Sequence, residues 1–148
     1  DVLLHNDILD GLRYLQQQGY LLIIISNQSW IGKGKLSQQE VEEIFDSVVL
    51  KLKKYGINVT NYYYCSHKKE IGCGCHKPRS QMLLEAARDY QVDVSKSLLI
   101  GDMDRDITAG KNVGLRTVLV RTGCGKRFED ITEADHVIDN INAIREVL

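Results

Sequence analysis

Apolar residues along the chain follow helical and extended spacings in turn. Residues 8–18 carry their apolar side chains at helical spacing and are followed by Gly19, so we predict a helix there. The next stretch, residues 21–25, is a continuous apolar run rich in β-branched side chains. Such a run predicts a strand that is buried on both faces.

The same alternation continues to the end of the chain. Ser37 with Glu40 three residues later forms a capping box, which predicts a helix that runs to about Tyr55. Further strands are predicted at residues 59–64, 97–100, 117–120 and 136–138, and further helices at residues 80–90, 106–113 and 141–148. Strands that alternate with helices predict an α/β fold of three layers, a Rossmann-like parallel sheet with helices on both faces. In such sheets, ligands bind beyond the carboxyl ends of the strands.

Size and composition favour one domain over residues 1–148, since a chain of 148 residues can bury one core. The net charge of -1 gives no electrostatic case for a nucleic-acid partner, and we expect none. The longest apolar run, residues 20–25, is too short to cross a bilayer, so no membrane association is expected. We see no signal peptide, and with reduced cysteines this predicts a cytoplasmic protein.

Four candidate metal ligands lie within residues 65–75, a loop that is too short for a helix or hairpin of its own. They are Cys65, His67, Cys73 and Cys75. Thiolate and imidazole ligands in fours suit tetrahedral zinc, and four protein ligands predict a closed, structural site. A pair of disulfides is the alternative, but disulfide scaffolds belong to short secreted chains. The remaining cysteine, Cys124, lies far away and is expected to be an ordinary thiol.

Polar residues follow two of the predicted strands. Residues 26–29, Ser-Asn-Gln-Ser, can hold a phosphate through hydroxyl, amide and backbone N–H groups, although these residue types also form turns. Asp102 follows a buried strand directly and is a suitable oxygen ligand for Mg²⁺, whereas Asp104 or Asp106 could cap the next helix. Lys77 follows the cysteine-rich loop and can pair with a phosphate, the alternative being a solvated lysine.

Taken together, these residues resemble the motifs of the haloacid dehalogenase superfamily of phosphatases. Ser26 matches its second motif, Lys77 its third and Asp102 its fourth. The cysteine-rich loop narrows the resemblance to the subclass that contains D-glycero-D-manno-heptose 1,7-bisphosphate phosphatase and histidinol-phosphate phosphatase. Residues 26–34 and 120–123 are similar to the heptose branch. The resemblance covers nearly all of the chain.

The resemblance implies a Mg²⁺-dependent phosphatase that acts on a small phosphosugar. Ser26 would contact the transferred phosphoryl group, Lys77 would neutralise its charge, and Asp102 would anchor Mg²⁺. The expected substrate-binding residues are Asn27, Gln28, Lys33 and His76. Bound zinc would fix the loop that holds Lys77 in place. A histidinol-phosphate phosphatase is the alternative enzyme, and the sequence does not predict the oligomeric state.

Three departures from the family pattern stand out. Trp30 replaces a glycine at the pocket edge, and His76 replaces the arginine that precedes the motif lysine. The third departure concerns the catalytic motif. In the family, an Asp-x-Asp sequence ends the first strand; its first Asp is the nucleophile and its second Asp is the acid–base residue. The only Asp-x-Asp sequences here overlap in residues 102–106 and belong to the fourth motif. As it stands, the chain is predicted to be inactive.

Two explanations account for the missing motif. The favoured one is that the chain is truncated at its N-terminus, so that residues 7–15 align with the family's first helix and the first, central strand is absent. Another segment or chain would then have to pair with the two strands beside it. In the other explanation, residues 1–5 occupy that strand position, with His5 in place of the nucleophile and Asp7 in place of the acid–base residue. A non-catalytic, zinc-stabilised module that binds a phosphosugar or a protein is the alternative outside the enzymes.

Overall fold

Parallel strands alternate with helices along residues 8–148, the part of the chain that the structure, a computed structural model, describes. The helices are α1 (Leu9–Gln17), α2 (Ser29–Gly32), α3 (Gln38–Lys54), α4 (Gln81–Asp89) and α5 (Asp104–Asn112). The strands are β1 (Leu22–Asn27), β2 (Val59–Cys65), β3 (Leu98–Gly101), β4 (Arg116–Val120) and β5 (His136–Ile138). Short 3₁₀ turns cover Lys69–Ile71, Val94–Lys96, Gly125–Arg127 and Ile141–Glu146. The predicted α/β alternation is therefore confirmed.

The strands form two parallel groups. β1 pairs with β2, with Ser26 opposite Tyr64, and β3, β4 and β5 form the second group in that order, with Gly101 opposite Leu119. Among residues 8–148, no strand is hydrogen-bonded to both β1 and β3. This order agrees with the prediction of a sheet without its first central strand. The alternative assignment of residues 1–5 to that position lies outside the described residues.

Helices cover both faces of the strands. Adjacent residues of a strand point to opposite faces, so Leu98 packs with α1 and the closing 3₁₀ turn, whereas Leu99 packs with α4 and α5. α3 joins α1 on the first face. The buried side chains of the first face are Leu9, Leu15, Leu52, Ile57, Val118, Val120, Ile138 and Ile144. Those of the second face are Leu83, Leu99 and Ala109.

The capping box at the start of α3 forms as predicted. The backbone N–H of Glu40 donates to Ser37 Oγ at 3.2 Å, and Glu40 Oε2 accepts from the backbone N–H of Ser37 at 2.8 Å. These two hydrogen bonds satisfy donors that the first turn of a helix otherwise leaves free. The local sequence therefore defined the start of this helix to the residue.

Four details of the prediction were wrong. The residues of β1 are half-buried rather than buried on both faces, because no described strand pairs with its edge toward β3. α5 begins at Asp104 rather than Asp106. The chain closes with a 3₁₀ turn rather than an α-helix, because Asn140 caps the backbone N–H of Asn142, whose side chain accepts from Gly11 N in α1 at 2.7 Å. The 65–75 loop also contains one 3₁₀ turn, which its length had been expected to exclude.

No helix within residues 8–148 combines the length and the apolar character that crossing a bilayer requires.

The carboxylate of Asp135, in the segment just before β5, binds residues of both α5 and β4. Asp135 Oδ1 pairs with Lys111 Nζ at 2.7 Å, and its Oδ2 accepts from the backbone N–H and the hydroxyl of Thr117 at 2.7 and 2.9 Å. Thr117 is fully buried. The hydrogen bond from Lys111, together with those from Thr117, holds the pKa of Asp135 well below its usual range. The ionised carboxylate is therefore the form that stabilises the fold.

We expect Asp135→Ala to lower the free energy of unfolding by about 1–3 kcal/mol near neutral pH, since a charged hydrogen-bond acceptor is lost beside a buried donor. The side chains of Lys111 and Asp135 are 36% and 38% exposed, which favours the lower end of that range. Because the folded-state pKa is depressed, the stabilisation is present above the unfolded pKa of about 3.9 and is lost as the pH falls below it.

Urea denaturation of the two proteins over a pH series measures this difference. Asp130→Ala, at an exposed carboxylate five residues earlier in the chain, is the control and should have little effect. A difference between wild type and Asp135→Ala that grows on acidification would contradict the assignment.

Candidate active site and metal centre

A groove of about 720 Å³ runs between β1 and β3 along the whole length of both strands and includes their carboxyl ends. Four predicted site residues line it, namely Ser26, Asn27, Lys77 and Asp102. Gln28, Lys33 and His76 do not line it. Residues that are distant in sequence thus meet at the edge where a parallel sheet binds its ligands.

Lys77 is held by two oxygens at the floor of this groove. Its Nζ lies 2.7 Å from Asp106 Oδ1 and donates to the Ile25 carbonyl at 2.8 Å. Both side chains of the ion pair are nearly buried, at 10% and 8% exposure. A buried ammonium requires such partners, because burial without them is costly. The lysine is therefore fixed relative to both β1 and α5.

Asp106 is the site residue that the sequence reasoning missed. It was interpreted as a helix cap, and its Oδ2 does accept from the backbone N–H of Met103 at 3.1 Å. Its other oxygen, however, binds Lys77. A Cβ at Gly101 would lie 2.5 Å from the Cβ of Asp106, so only glycine allows this approach. The signal in the sequence was a second carboxylate four residues after Asp102, in the first turn of the helix that follows β3.

Asn27 uses its amide to clamp the backbone of Lys77. Its Oδ1 accepts from the Lys77 backbone N–H at 3.0 Å, and its Nδ2 donates to the Lys77 carbonyl at 3.1 Å. Nδ2 also lies 3.0 Å from Nδ1 of His76, whose Nε2 is 3.4 Å from Ser29 Oγ. These contacts join the end of β1 to the segment that carries Lys77.

His76 is buried in the wall of the site. Burial, with added repulsion from Arg105, Arg79 and Lys69, lowers the pKa of His76, which favours the neutral ring. A neutral ring can accept the hydrogen bond from Asn27 through Nδ1. The structure places His76 beside Asn27, and the substrate contact that the resemblance to the family implies for His76 stays a prediction.

Asp102 is oriented by the loop that follows β4. The backbone N–H of Cys124 donates to Asp102 Oδ2 at 2.9 Å. Gly123 has a left-handed φ of 62°, and a Cβ there would collide with the same carboxylate. The close approach of this loop therefore requires glycine. It fixes one carboxylate oxygen of Asp102 at the groove.

The segment after β1 forms the outer edge of the site. Gln28 Nε2 donates to Ser26 Oγ at 2.9 Å, so Gln28 orients the hydroxyl from behind. Trp30 is 52% exposed, and Lys35 Nζ lies 4.6 Å from the centre of its ring. Lys33 is exposed on the same segment. The tryptophan thus occupies the edge of the site rather than the groove.

The four predicted zinc ligands converge on one point. Their ligand atoms all lie within 4.8 Å of one another. Cys75 Sγ is 3.1 Å from Cys65 Sγ and 3.2 Å from Cys73 Sγ, and His67 Nδ1 is 3.3 Å from Cys75 Sγ. Three thiols and an imidazole at these separations match the donor set of a closed tetrahedral zinc site. α2 packs directly on this loop, because a Cβ at Gly32 would lie 2.8 Å from the Ser66 carbonyl oxygen.

The crowded thiols do not ionise independently. Burial and then the contacts with the other two sulfurs raise the pKa of Cys75 to about 12. Burial also disfavours the thiolate of Cys73, but hydrogen bonds from Cys75 and Cys65 outweigh it and lower the pKa of Cys73 to about 6. One thiolate is therefore stabilised by its protonated neighbours. A divalent cation would replace those protons in the same space.

Comparison with known proteins identifies relatives of this chain. A family model described as HAD-hydrolase-like matches residues 74–144. The D-glycero-beta-D-manno-heptose-1,7-bisphosphate 7-phosphatase of Haemophilus influenzae is 32% identical over 148 residues, which cover 95% of this chain and 80% of the relative. A probable D-glycero-D-manno-heptose-1,7-bisphosphate 7-phosphatase of Thermoplasma acidophilum is 39% identical over 116 residues, covering 78% of this chain and 72% of the relative.

Solved structures share the fold. The D,D-heptose 1,7-bisphosphate phosphatase of B. bronchiseptica, crystallised with magnesium and phosphate, superposes with a TM-score of 0.85 at 28% identity. The superposition covers 94% of this chain and 79% of that one. The corresponding phosphatase of Burkholderia thailandensis gives a TM-score of 0.73 at 21% identity, over 97% of this chain and 84% of that one, and supports the fold alone.

The Lys77–Asp106 pair can be tested by its effect on stability. We expect Asp106→Ala to lower the free energy of unfolding by about 3–5 kcal/mol, because it leaves the ammonium of Lys77 buried without its counter-charge. The double variant Lys77→Met with Asp106→Leu should cost clearly less than the sum of its two single variants, since it leaves no buried charge. Guanidinium denaturation with circular dichroism measures all five proteins: the wild type, Asp106→Ala, the two single variants of the cycle and the double variant. If the change in the free energy of unfolding of the double variant equalled the sum of the changes of its two single variants, the two residues would not be coupled.

Proposed function

Since this chain belongs to the D-glycero-D-manno-heptose 1,7-bisphosphate 7-phosphatase family of HAD-like hydrolases, we propose that it contributes the phosphate-binding site of a Mg²⁺-dependent phosphatase acting on a small sugar bisphosphate. One observation carries this proposal. Ser26, Lys77 and Asp102 come from three separate segments and line one groove at the carboxyl ends of β1 and β3. A hydroxyl, a fixed ammonium and a carboxylate are the groups that bind a phosphoryl group and its cation.

The contacts of each of these residues support the role that we propose for it. Ser26, whose hydroxyl oxygen already accepts from Gln28, would donate its own proton to a phosphoryl oxygen. The ammonium of Lys77 would offset the negative charge on the phosphoryl oxygens, and its fixed position means that little reorganisation is needed. Asn27 and His76 would act behind it, by holding the Lys77 backbone in place.

Asp102 fits one position in a magnesium site. Its Oδ2 is anchored by the Cys124 N–H, and carboxylates are preferred ligands of this cation. Magnesium sites that bind phosphates take only one or two protein carboxylates, so Asp102, directly after β3, would be a suitable member of such a ligand set. When bound, Mg²⁺ would neutralise charge on the substrate's phosphate.

The nucleophile would have to come from a strand between β1 and β3. The sequence holds its only Asp-x-Asp motifs in residues 102–106, where Asp102 and Asp106 already have other partners. A strand beside both β1 and β3 would end in the same groove as Ser26 and Asp102. An Asp there would attack phosphorus, and the next Asp but one would protonate the leaving oxygen.

This proposal predicts how activity depends on that strand. The chain of 148 residues should release no phosphate, whereas a protein extended at its N-terminus by a strand that ends in Asp-x-Asp-Gly-Thr should hydrolyse a heptose bisphosphate in the presence of Mg²⁺. In the extended protein, Asp102→Asn or Ser26→Ala should lower kcat/KM by about 10²–10³-fold, since each removes a group that stabilises the transferred phosphoryl. Phosphate release measures each rate.

Asp130→Asn, at an exposed carboxylate away from the groove, is the matched control and should keep full activity. An extended, folded protein that releases phosphate neither from a heptose bisphosphate nor from a generic ester would sink the proposal. If that protein still binds the phosphosugar, the non-catalytic binding module becomes the better description.

We further propose that the cluster at residues 65–75 holds one structural Zn²⁺ through Cys65, His67, Cys73 and Cys75. The converging donor set fits this ion, and all four ligands come from the protein, which leaves no open position for substrate. The clustered loop runs directly into His76 and Lys77. Bound zinc would therefore hold the segment that presents the lysine.

Purified protein should contain one equivalent of zinc per chain, and Cys75→Ser should lose most of it. The same substitution should lower the free energy of unfolding by about 3 kcal/mol or more, because metal binding in such sites contributes directly to folding. Cys124→Ser is the matched control and should keep its zinc, since Cys124 lies apart from the cluster. Elemental analysis and denaturation provide the two measurements. A full equivalent of zinc in Cys75→Ser would rule out this ligand set.

A further inference from the structure

The loop that follows β4 reaches across to the end of β3. We call residues 122–129 the Asp102 loop, because the backbone N–H of its Cys124 donates to Asp102 Oδ2 at 2.9 Å. A Cβ at Gly125 would collide with the carbonyl oxygen of Val120, so only glycine lets the loop turn back on β4 this tightly. The loop therefore presents one fixed N–H group to the candidate cation ligand.

Arg121 ties the two ends of this loop together. The arginine follows β4 directly, and its Nε donates to Glu129 Oε2 at 2.6 Å, at the far end of the loop. Its Nη1 donates to Asp139 Oδ1 at 2.8 Å, directly after β5. Within residues 8–148, these contacts and the hydrogen bond that Asp102 accepts are the only ones through side chains that hold the loop. The guanidinium thus anchors the loop to the ends of two strands.

The ion pairs of Arg121 are too exposed to act mainly through global stability. The side chains of Arg121 and Glu129 are 35% and 33% exposed, and that of Asp139 is 79% exposed. Exposed ion pairs contribute little to the free energy of unfolding. The arrangement is nevertheless specific, because one planar group uses two nitrogens to bind carboxylates on two separate segments, which a lysine cannot do. Its effect is therefore expected in the order of the loop.

We propose that Arg121 is a positioning residue for the Mg²⁺ site and acts through the Asp102 loop. The guanidinium keeps the loop closed, and the closed loop keeps the Cys124 N–H on Asp102 Oδ2. This hydrogen bond sets the plane of the carboxylate that would receive the cation. Asp102 binds Mg²⁺ only if the proposed function holds, so this role of Arg121 rests on that proposal.

The plane of the Asp102 carboxylate depends on this one hydrogen bond. The last torsion of an aspartate side chain is broad, so the carboxylate can rotate unless a donor holds it. In the described part of the chain, the Cys124 N–H is the only hydrogen-bond donor to Asp102, and Oδ1 is left for a cation. Mg²⁺ demands near-ideal octahedral geometry, so a rotating ligand binds it more weakly than a fixed one. Groups that orient a metal ligand typically change metal affinity by about 10–100-fold.

Hydrogen exchange followed by NMR tests the first link in the full chain of 148 residues. In Arg121→Gln, the amide of Cys124 should exchange about tenfold faster, because the loop opens more often. The amide of Thr117, which donates to Asp135, is the internal reference and should not change. Arg127→Gln is the matched control, since it removes the same charge from the same loop at a side chain without a hydrogen bond or ion pair to residues 8–148.

Substitutions of the two carboxylates separate their contributions. Glu129→Gln should accelerate the exchange nearly as much as Arg121→Gln, since Glu129 holds the far end of the loop. Asp139→Asn should have a smaller effect, because its side chain is mostly exposed. Arg121→Lys should restore part of the protection, because one ammonium can bind one carboxylate but not both.

The Mg²⁺ dependence of the N-terminally extended protein tests the second link. Arg121→Gln should raise the Mg²⁺ concentration for half-maximal phosphate release by about tenfold. The kcat at saturating Mg²⁺ and the KM for a heptose bisphosphate should stay unchanged. Recovery of the rate with added Mg²⁺ separates a displaced ligand from a damaged fold, and urea denaturation should show only a small shift.

Four results would overturn the role of Arg121. In Arg121→Gln, these are a Cys124 amide that exchanges at the wild-type rate, an unchanged Mg²⁺ requirement, or a raised KM at saturating Mg²⁺, which would show that Arg121 binds substrate directly. The fourth is an equal acceleration of exchange in Arg127→Gln. If the extended wild-type protein releases no phosphate at all, the proposed function fails, and the exchange experiment still decides whether Arg121 orients Asp102.

Discussion

The buried ion pair between Lys77 and Asp106 is the interaction on which the rest of the site depends. It joins the segment after the cysteine cluster to the first turn of α5, and the same ammonium binds the Ile25 carbonyl in β1. The two groups of strands share no ladder among the described residues, and this ammonium adds a polar link to the apolar contacts that Leu22 and Ile25 of β1 make with the second group. An unpaired charge at this depth would be costly, so the pair constrains the groove to one arrangement.

The other contacts of the site can be understood as support for this lysine. The side-chain amide of Asn27 binds both the backbone N–H and the carbonyl of Lys77. His76 packs beside Asn27, and burial lowers the pKa of His76, which favours the neutral ring. Glycines permit the close approaches: Gly101 leaves room for Asp106, and Gly123 leaves room for Asp102. The result is a site whose polar groups are positioned before any ligand arrives, which is the condition for electrostatic stabilisation of a transferred phosphoryl group.

The cysteine and histidine cluster is chemically distinct from the groove. It precedes His76 and Lys77 directly in the chain, so zinc bound there, as we propose, would hold that segment through directed metal–ligand bonds. The groove depends instead on hydrogen bonds and on one buried ion pair.

The sequence alone determined the features that depend on neighbouring residues. The capping box placed the start of α3, the alternation of elements predicted the parallel fold, and the spacing of four ligands predicted the metal cluster, because these patterns are local. Only the tertiary structure decided how distant residues pair. The sequence around Asp106 predicts a helix cap, but in the fold this residue is also the counter-ion of Lys77, which lies 29 residues away along the chain. Asn27 and His76 were predicted only as substrate contacts, and the fold also places them in contact with the segment that carries Lys77. Local sequence patterns do not predict such pairs, because the paired residues are far apart in the chain and only the packing of strands and helices brings them together.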